Sequence, residues 1–295
     1  MTQSKPKFSV VLQTDTYQKL INNTLGDSER AKRFIASISS AVAINSDLQE
    51  CDAGTILSGA LLGEALNLSP SPQLGQYYLV PFNSKSKGKV ATFILGYKGY
   101  IQLAVRSGNY KKINVIEIKE GELKKFDLMN EEIDVQIISD DTVRETTPTT
   151  GYYAMFEYLN GFKKAIYWSK EKMIEHADMY SPAFSKKGYE LLVAGKVKES
   201  DLWKYSSHWY KNFDDMAKKT MLRQLISRWG VMSVEMREAF EKDNAVLYTD
   251  GSSNYLDDID IPDVPSIEEN PEDIVEPESN DKTKNKPKKV DINEL

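Results

Sequence analysis

The chain of 295 residues has almost none of the residues that build disulfide frameworks or zinc sites. Cys51 is its only cysteine, and His176 and His208 are its only histidines. A single cysteine cannot close an intramolecular disulfide, and three such residues scattered along the chain do not supply the closely spaced ligands of a zinc site. We therefore expect no metal site and a cytoplasmic protein.

Long apolar segments are missing as well. No run approaches the roughly 20 apolar residues that a membrane-spanning helix needs, and the N-terminal sequence MTQSKPKF lacks the hydrophobic centre of a signal peptide. The sequence also has no period of about 20 to 50 residues that would indicate a solenoid. These features predict a protein that is neither exported nor embedded in a membrane.

Basic residues are absent from residues 250–281, which contain twelve acids and four prolines. Such a composition cannot bury enough apolar surface to offset the entropy of the chain. We therefore predict a folded domain over residues 1–248 and a disordered acidic tail over residues 249–295. The net charge is −6 for the chain and −9 for that tail, so the predicted domain carries +3.

Local patterns predict an α+β fold, in which a mixed, largely antiparallel sheet is flanked by helices. Ser169 is expected to cap a short helix that ends near Met179, and the dipeptide Asn160-Gly161 favours a type I′ hairpin turn. Residues 181–200 are predicted to form a loop. The other predicted elements are helices at 27–46, 52–68 and 97–107, strands at 113–118 and 133–138, a hairpin of 152–159 with 162–168, and a hairpin from residue 75 with a lysine-rich tip at Lys85, Lys87 and Lys89.

Residues 216–230, with the sequence MAKKTMLRQLISRWG, predict a packed helix with one positive edge. The helix is expected to begin near Asp214 and Asp215, because acids favour the positive end of the helix dipole. Lys218 falls within the apolar face, and we interpret it as a first-turn residue that lies before the packing begins. The helical period separates an apolar arc of Met221, Leu222, Leu225, Ile226 and Trp229 from a polar stripe of Lys219, Arg223 and Ser227.

A second basic element is predicted at residues 97–107. Lys98, Gln102 and Arg106 recur every four residues on one face, and Gly99 beside them would let a backbone approach closely. Each basic element alone is typical of a solvated helix face, but the two together favour a binding surface. The opposite face is expected to pack through Tyr97, Ile101, Ala104 and Val105, and Lys111 and Lys112 follow the helix.

Aromatic residues are concentrated just before the basic helix, at Trp203, Tyr205, His208, Trp209 and Tyr210. Single-stranded nucleic acid is held by this combination of cations and stacking rings. We expect Trp203 and Trp229 to lie in the core, so Tyr205 and Trp209 are the candidates for stacking.

Three sequence blocks resemble the RecT family of phage single-strand annealing proteins. They are LGEALNLSPSPQLGQYYLVPF at 62–82, ATFILGYKGYIQLAVRSG at 91–108 and the basic helix, and the similarity extends over residues 58–230. The resemblance implies a β-β-β-α core related to the superfamily of lambda Red beta. It also implies ATP-independent annealing of single-stranded DNA by a helical homo-oligomer in the bacterial host cell, with a phage exonuclease and a host single-strand-binding protein as partners.

On that resemblance we assign a DNA-binding surface and neither a catalytic residue nor a cofactor. The phosphate-loop pattern GxxxxGK[ST] is absent from the sequence, in agreement with annealing without ATP. The residues assigned to the surface are Lys98, Gln102, Arg106, Lys111, Lys112, Lys186, Lys187, Tyr205, Trp209, Lys219, Arg223 and Arg228.

Two other functions remain open at this point. The spacing of Glu117 and Lys119 resembles one nuclease signature, but the nearest upstream acid is Glu64 and a solvated Glu117 is the better interpretation. A passive single-strand coat protein would share the same surface. For the tail, the motif DDIDIP at 257–262 loosely resembles the acidic tip of bacterial single-strand-binding proteins. The tail is interpreted as a recruiting segment, a competitor of DNA or a solvating linker.

Overall fold

The computed structural model describes residues 6–84 and 87–255 of the chain. The described strands are β1 (Tyr77–Ser84), β2 (Gly88–Leu95), β3 (Tyr110–Lys119), β4 (Leu123–Asp127), β5 (Glu132–Val135), β6 (Thr149–Tyr158), β7 (Lys163–Ser169), β8 (Ala245–Leu247) and β9 (Ser253–Tyr255). The described helices are α1 (Phe8–Val11), α2 (Asp15–Leu25), α3 (Ser28–Ile44), α4 (Ser46–Gln49), α5 (Ala53–Ala65), α6 (Tyr97–Arg106), α7 (Asp141–Thr146), α8 (Lys170–Tyr180), α9 (Lys186–Val193), α10 (His208–Lys211), α11 (Phe213–Trp229) and α12 (Val234–Lys242), and a 3₁₀ helix spans Glu199–Tyr205.

The N-terminal helices form a layer with its own apolar core. The side chain of Asp27 accepts a hydrogen bond from Arg30 N at the start of α3, and Asp52 does the same for Thr55 N at the start of α5. Both caps satisfy amides that a helix start leaves free. The predicted helices at 27–46 and 52–68 are thus confirmed, and their buried faces share one core with the side chains Phe34, Ile38, Val42, Ile56 and Leu57.

A four-stranded sheet with the order β1-β2-β8-β9 lies against this layer. The predicted hairpin is confirmed, with Tyr77 opposite Leu95. Its Lys85 lies outside the described residues, whereas the Lys87 ammonium lies 3.7 Å from the ring centroid of Tyr248. Lys89 pairs with two acids of the helical layer, so the hairpin lysines that can be seen are engaged within the molecule.

A three-stranded antiparallel sheet with the order β3-β6-β7 supports the second core, and it confirms the predicted α+β class. The β-β-β-α order appears as β3, β6, β7 and α8, with β4, β5 and α7 inserted after β3. The predicted strand at 133–138 corresponds to β5, which pairs with β4 in a separate two-stranded sheet. Ser169 caps α8 through Lys172 N, as predicted.

The β6–β7 turn differs from the predicted type I′ geometry. Only Gly161 has a positive φ, of 87°, and its N–H donates to Tyr158 O. A type I′ turn requires positive φ at both central residues, whereas a type I turn followed by a left-handed glycine makes a three-residue hairpin loop with a bulge. Gly161 therefore follows the two central residues of the turn, whereas the predicted type I′ turn had Gly161 as its second central residue.

Helix α11 lies across the three-stranded sheet and carries the larger core. Four residues of the predicted apolar arc are fully buried, while Trp229 is only partly buried at the end of the helix. The first turn contains Asp214 and Asp215, as expected for the positive end of a helix dipole. The fully buried residues are Met221, Leu222, Leu225 and Ile226.

The predicted loop at 181–200 is wrong, because α9 lies within it. Ser185 caps this helix by accepting from Gly188 N. Gly188 looks like a helix breaker in the sequence, but a Cβ there would lie 2.8 Å from the Tyr210 hydroxyl. Glycine is thus required by close packing and not by a turn.

The first residues of the predicted tail are ordered. Strand β9 pairs with β8, so residues 249–255 complete a hairpin on the four-stranded sheet. Residues 256–295, with the DDIDIP motif, lie outside the described residues. Within the described part, no helix combines the length and apolar character that a membrane span requires.

Gly99 in α6 allows the close backbone approach that the sequence predicted. A Cβ at this position would lie 2.1 Å from Gln76 O. Gln76 directly precedes β1, and the pairing of β1 with β2 fixes its position. We expect Gly99→Ala to lower the free energy of unfolding by about 2 kcal/mol, despite the better helix propensity of alanine. Urea denaturation measures the loss, and the exposed Gln102→Ala in the same helix should change stability by less than about 0.5 kcal/mol. Equal stability of both variants would contradict the close approach.

Candidate nucleic-acid interface

Helix α6 presents the polar face that the sequence predicted. Lys98 and Gln102 are exposed, whereas the guanidinium of Arg106 donates to Leu66 O at 2.6 Å and to Asn67 O at 3.2 Å. Arg106 thus satisfies carbonyls at the end of α5 and is less free than Lys98 to meet a ligand.

The buried face of α6 is rotated from the predicted one. Tyr100, Leu103 and Ala104 are buried, while Val105, expected in the core, is 57% exposed. Packing against α11 selects this face. Tyr97 is consequently left only partly buried at the start of the helix.

Two residues of the predicted basic edge of α11 pair with a buried carboxylate. The Lys219 ammonium lies 2.8 Å from Asp243 Oδ1, and Arg223 Nη1 lies 2.8 Å from Asp243 Oδ2. Lys219 is only 5% exposed, so the expected exposure of this lysine is wrong. The Tyr100 hydroxyl also donates to Asp243 Oδ2, at 2.8 Å. We call these four residues the Asp243 cluster.

The Asp243 cluster perturbs both cations. Burial lowers the pKa of Lys219, with Asp243 opposing the shift. Although burial opposes it, Tyr100 and Asp243 raise the pKa of Arg223. Lys219 and Arg223 of the predicted polar stripe therefore form an ionic contact between α11 and Asp243, which directly follows α12, and only the Lys219 side of this contact is fully buried.

Lys218 also has a different environment from the one expected. Its ammonium lies 3.0 Å from Glu117 Oε1 and 2.9 Å from Asp215 Oδ1, and Glu117 also pairs with Lys119 at 2.9 Å. The interpretations of Lys218 as an unpacked first-turn residue and of Glu117 as a solvated residue are both wrong. Although burial opposes both shifts, these hydrogen bonds raise the pKa of Lys218 and lower that of Glu117. Both groups are charged at neutral pH.

Two cations converge on the ring of Tyr97. The Lys218 ammonium lies 4.7 Å from the ring centroid and that of Lys98 lies 5.9 Å from it. Contacts of this geometry are favourable by about 0.5 to 1 kcal/mol when exposed. Tyr97 therefore joins the exposed Lys98 of α6 to the ion pairs at the start of α11.

An aromatic pair lies near the Tyr97 ring. The rings of Tyr78 and His208 are 5.6 Å apart, which joins β1 to α10. A Cβ at Gly75 would lie 3.0 Å from the Tyr78 hydroxyl and 3.4 Å from Lys98 Cδ, so both side chains cover the same glycine.

Exposed cations thus flank the aromatic pair, with Lys98 near Tyr78 and Lys211 at the end of α10. Burial and the charges of Lys211 and Lys219 lower the pKa of His208, so its imidazole is largely neutral at pH 7. We call this region the Tyr78–His208 surface; it consists of Tyr78, Tyr97, Lys98, His208 and Lys211.

Trp209 was predicted to stack on bases and Trp203 to lie in the core, but their exposures are the reverse of these predictions. Trp209 is buried, with ring centroids of Phe184 and Phe213 at 5.8 Å and 5.3 Å, whereas Trp203 is 64% exposed. Tyr205 is half-buried and packs edge-on against Tyr210. The two stacking candidates do not share one helix, because Tyr205 ends the 3₁₀ helix and Trp209 lies in the separate helix α10.

The remaining predicted residues lie on other elements than those of the Tyr78–His208 surface or at the far end of α11. Lys111 pairs with Glu157 at 2.7 Å, and Lys186 lies 3.6 Å from Glu175. Lys112 and Lys187 are exposed at the starts of β3 and α9, and Arg228 is exposed near the end of α11.

Lys111 and Lys112 at the start of β3 and Arg228 near the end of α11 belong to segments that a hydrogen bond joins. The Tyr110 hydroxyl donates to Val231 O, which brings the start of β3 to the end of α11. Arg228 follows Lys218 by ten residues, or about 15 Å of helix. Exposed cations therefore occur near both ends of α11.

The sequence of the chain matches the model of the RecT family over residues 32–258. It is 37% identical over 229 residues to the Uncharacterized protein YqaK of Bacillus subtilis strain 168, an alignment that covers 78% of this chain and 69% of that relative. It is 28% identical over 216 residues to Protein RecT of Escherichia coli strain K12, with 72% of this chain and 71% of the relative covered.

Proposed function

The chain belongs to the RecT family, and from that membership we propose that it binds single-stranded DNA and anneals complementary strands without ATP during homologous recombination. The family supports strand annealing as the general activity. The Tyr78–His208 surface carries the proposal for this chain, because exposed cations flank rings that are accessible from solvent. Cations for the backbone and rings for the bases are the two requirements of sequence-tolerant strand binding.

The proposed strand path starts at the Tyr78–His208 surface. Lys98 and Lys211 neutralise phosphates there, and Gln102 extends the contact one turn along α6. The path continues toward Lys111, Lys112 and Arg228 at the far end of α11. Lys186 and Lys187 of α9 remain proposed contacts of a second strand or of a neighbouring subunit.

The proposed mechanism requires no hydrolysis. Base pairing itself supplies the free energy of annealing, so the protein needs only to reduce phosphate repulsion and to keep two strands close. We propose that a helical homo-oligomer does this by repeating weak contacts along the DNA, in the cytoplasm of a bacterial host. Its partners would be a phage exonuclease and a host single-strand-binding protein.

Annealing is tested with two labelled complementary oligonucleotides in the absence of ATP. We expect the protein to accelerate their pairing, and we expect the binding constant for one strand to fall with salt at a logarithmic slope of about −0.7 per neutralised phosphate. Slower pairing in the presence of the protein would instead identify a passive coat protein.

The nuclease alternative is tested by adding magnesium to the same mixture. Among the described residues, no three His, Cys, Asp or Glu side chains are placed to hold a metal, and Glu117 is engaged by two ammonium groups. We expect the strands to keep their length. Shortening that depends on magnesium would support nuclease activity and contradict the proposed function.

A further inference from the structure

A groove of about 430 Å³ adjoins the Tyr78–His208 surface. Its floor is β1, one wall is the end of α3 together with α4, and the other wall is α10 with the start of α11. The lining is mostly apolar and includes Ile44, Leu48, Leu79 and Pro81, while Tyr78 belongs to the floor and His208 and Asp215 belong to the second wall. A volume of this size lies in the range of small-molecule sites.

The floor of the groove also carries main-chain hydrogen-bonding groups. Strand β1 is an edge strand of its sheet, and Pro81 within it has no N–H to donate to β2. Proline is tolerated in a strand where its nitrogen faces away from the partner strand. Because residues two apart face the same way, the N–H and C=O of Leu79 also point away from β2, toward the groove.

We propose that this groove receives a nucleobase from the strand whose phosphates contact Lys98 and Lys211, one base for each subunit. The inference rests on the proposed function and adds the part of the ligand that the groove recognises. A base extruded from a strand is held by stacking on aromatic or apolar side chains and by hydrogen bonds to its edge, and extrusion costs least when the strand is already single. The groove supplies both kinds of contact.

The distribution of charge selects the base over the phosphate. Lys98 and Lys211 do not line the groove, whereas Asp215 does, and its carboxylate is already paired with the Lys218 ammonium at 2.9 Å. A phosphate would lose its hydration there without meeting an unpaired cation of the lining, whereas burying a neutral base costs much less. Since Leu79 offers one donor and one acceptor, each of the four bases finds a partner, in keeping with an activity that does not depend on sequence.

A base held in the groove is withheld from pairing while its neighbours stay free. The groove would therefore fix the register between subunit and strand, and the remaining bases would meet the complementary strand. The captured base must leave the groove before it can pair, so each subunit would release it to the complementary strand late in annealing.

The test compares two oligonucleotides of equal length, one of mixed sequence and one that is abasic throughout and has only the backbone. Fluorescence anisotropy with the full chain measures the affinity for each. The wild type should bind the base-bearing strand about tenfold more tightly, and Tyr78→Leu should lose that preference while its affinity for the abasic strand stays unchanged. Tyr78→Phe keeps the ring and should behave like the wild type.

The matched control is Tyr180→Leu. Tyr180 also lies against a histidine, with ring centroids 4.6 Å apart in a tilted pair with His176, but it is exposed on α8 and does not line the groove. This variant should retain the preference for bases. Equal affinity of the wild type for both strands, or equal losses of Tyr78→Leu on both, would overturn the base site and leave strand binding intact. If the wild type bound neither strand, the proposed function itself would fail.

Discussion

Replacing Asp243 by alanine is expected to lower the free energy of unfolding by about 3 to 5 kcal/mol, because it leaves the buried Lys219 and the partly exposed Arg223 without a counter-charge. Both oxygens of this carboxylate are used. Oδ1 accepts from Lys219 and from Leu95 N, and Oδ2 accepts from Arg223 and the Tyr100 hydroxyl. Alanine would leave four donors without this acceptor and would loosen α6, α11 and β2 together.

Urea denaturation followed by circular dichroism measures this loss. Asp134→Ala removes the same charge from an exposed position on β5 and should change the free energy of unfolding by less than about 0.5 kcal/mol. Asp243→Asn keeps an acceptor but loses the charge, so its stability should fall between those of the wild type and Asp243→Ala. A loss of less than about 1 kcal/mol in Asp243→Ala would show that the cluster is solvated or replaceable.

Local signals were sufficient to predict five of the six described helices that have ten or more residues. Ser169 caps the helix that it was expected to cap, and Asp27 and Asp52 cap the helices predicted to begin at those residues, since a cap involves residues only three positions apart. The apolar arc of α11 was predicted because a helical period places Met221 and Leu225 on one side whatever they pack against.

Predictions failed where a partner is distant in sequence. Lys219 was expected on the surface because its counter-charge, Asp243, lies 24 residues away and beyond another helix. Glu117 was expected in solvent because Lys218 reaches it only after the sheet and α11 have packed. In both cases the helical or strand period was correct, and an ion pair allowed a charged side chain to occupy a buried face.

Only part of the candidate site was predicted, because some of its contacts also join residues that are distant in sequence. Lys98 was identified from its spacing within one helix, and its exposure is confirmed. Tyr78 was interpreted only as a strand residue, because its contact with His208 joins positions 130 residues apart. Lys211 carried no periodic signal in its four-residue helix. Whether these residues bind DNA stays a prediction.

The double charge reversal Lys98→Glu, Lys211→Glu should weaken single-strand binding by about 60-fold at about 50 mM salt. Each lost phosphate contact reduces by about 0.7 the slope of the logarithm of the binding constant against the logarithm of the salt concentration. Over the roughly 1.3 decades between about 50 mM and about 1 M salt, this reduction lowers the binding constant at about 50 mM by a factor of about eight. The salt dependence should also fall, by about 1.4 in logarithmic slope. Both lysines are exposed, so the fold should be retained.

The matched control is Lys124→Glu, Lys125→Glu, which makes the same change of charge on β4, where both lysines are exposed. It should reduce affinity only through the long-range field, which salt near the physiological range screens beyond about 8 Å. Titrations of a labelled strand at several salt concentrations separate the two effects, because near physiological salt the long-range field is largely screened, whereas a lost contact still weakens binding. If both double variants lost the same affinity and slope, binding would depend on net charge alone. The Tyr78–His208 surface would then not be the place where the strand is held.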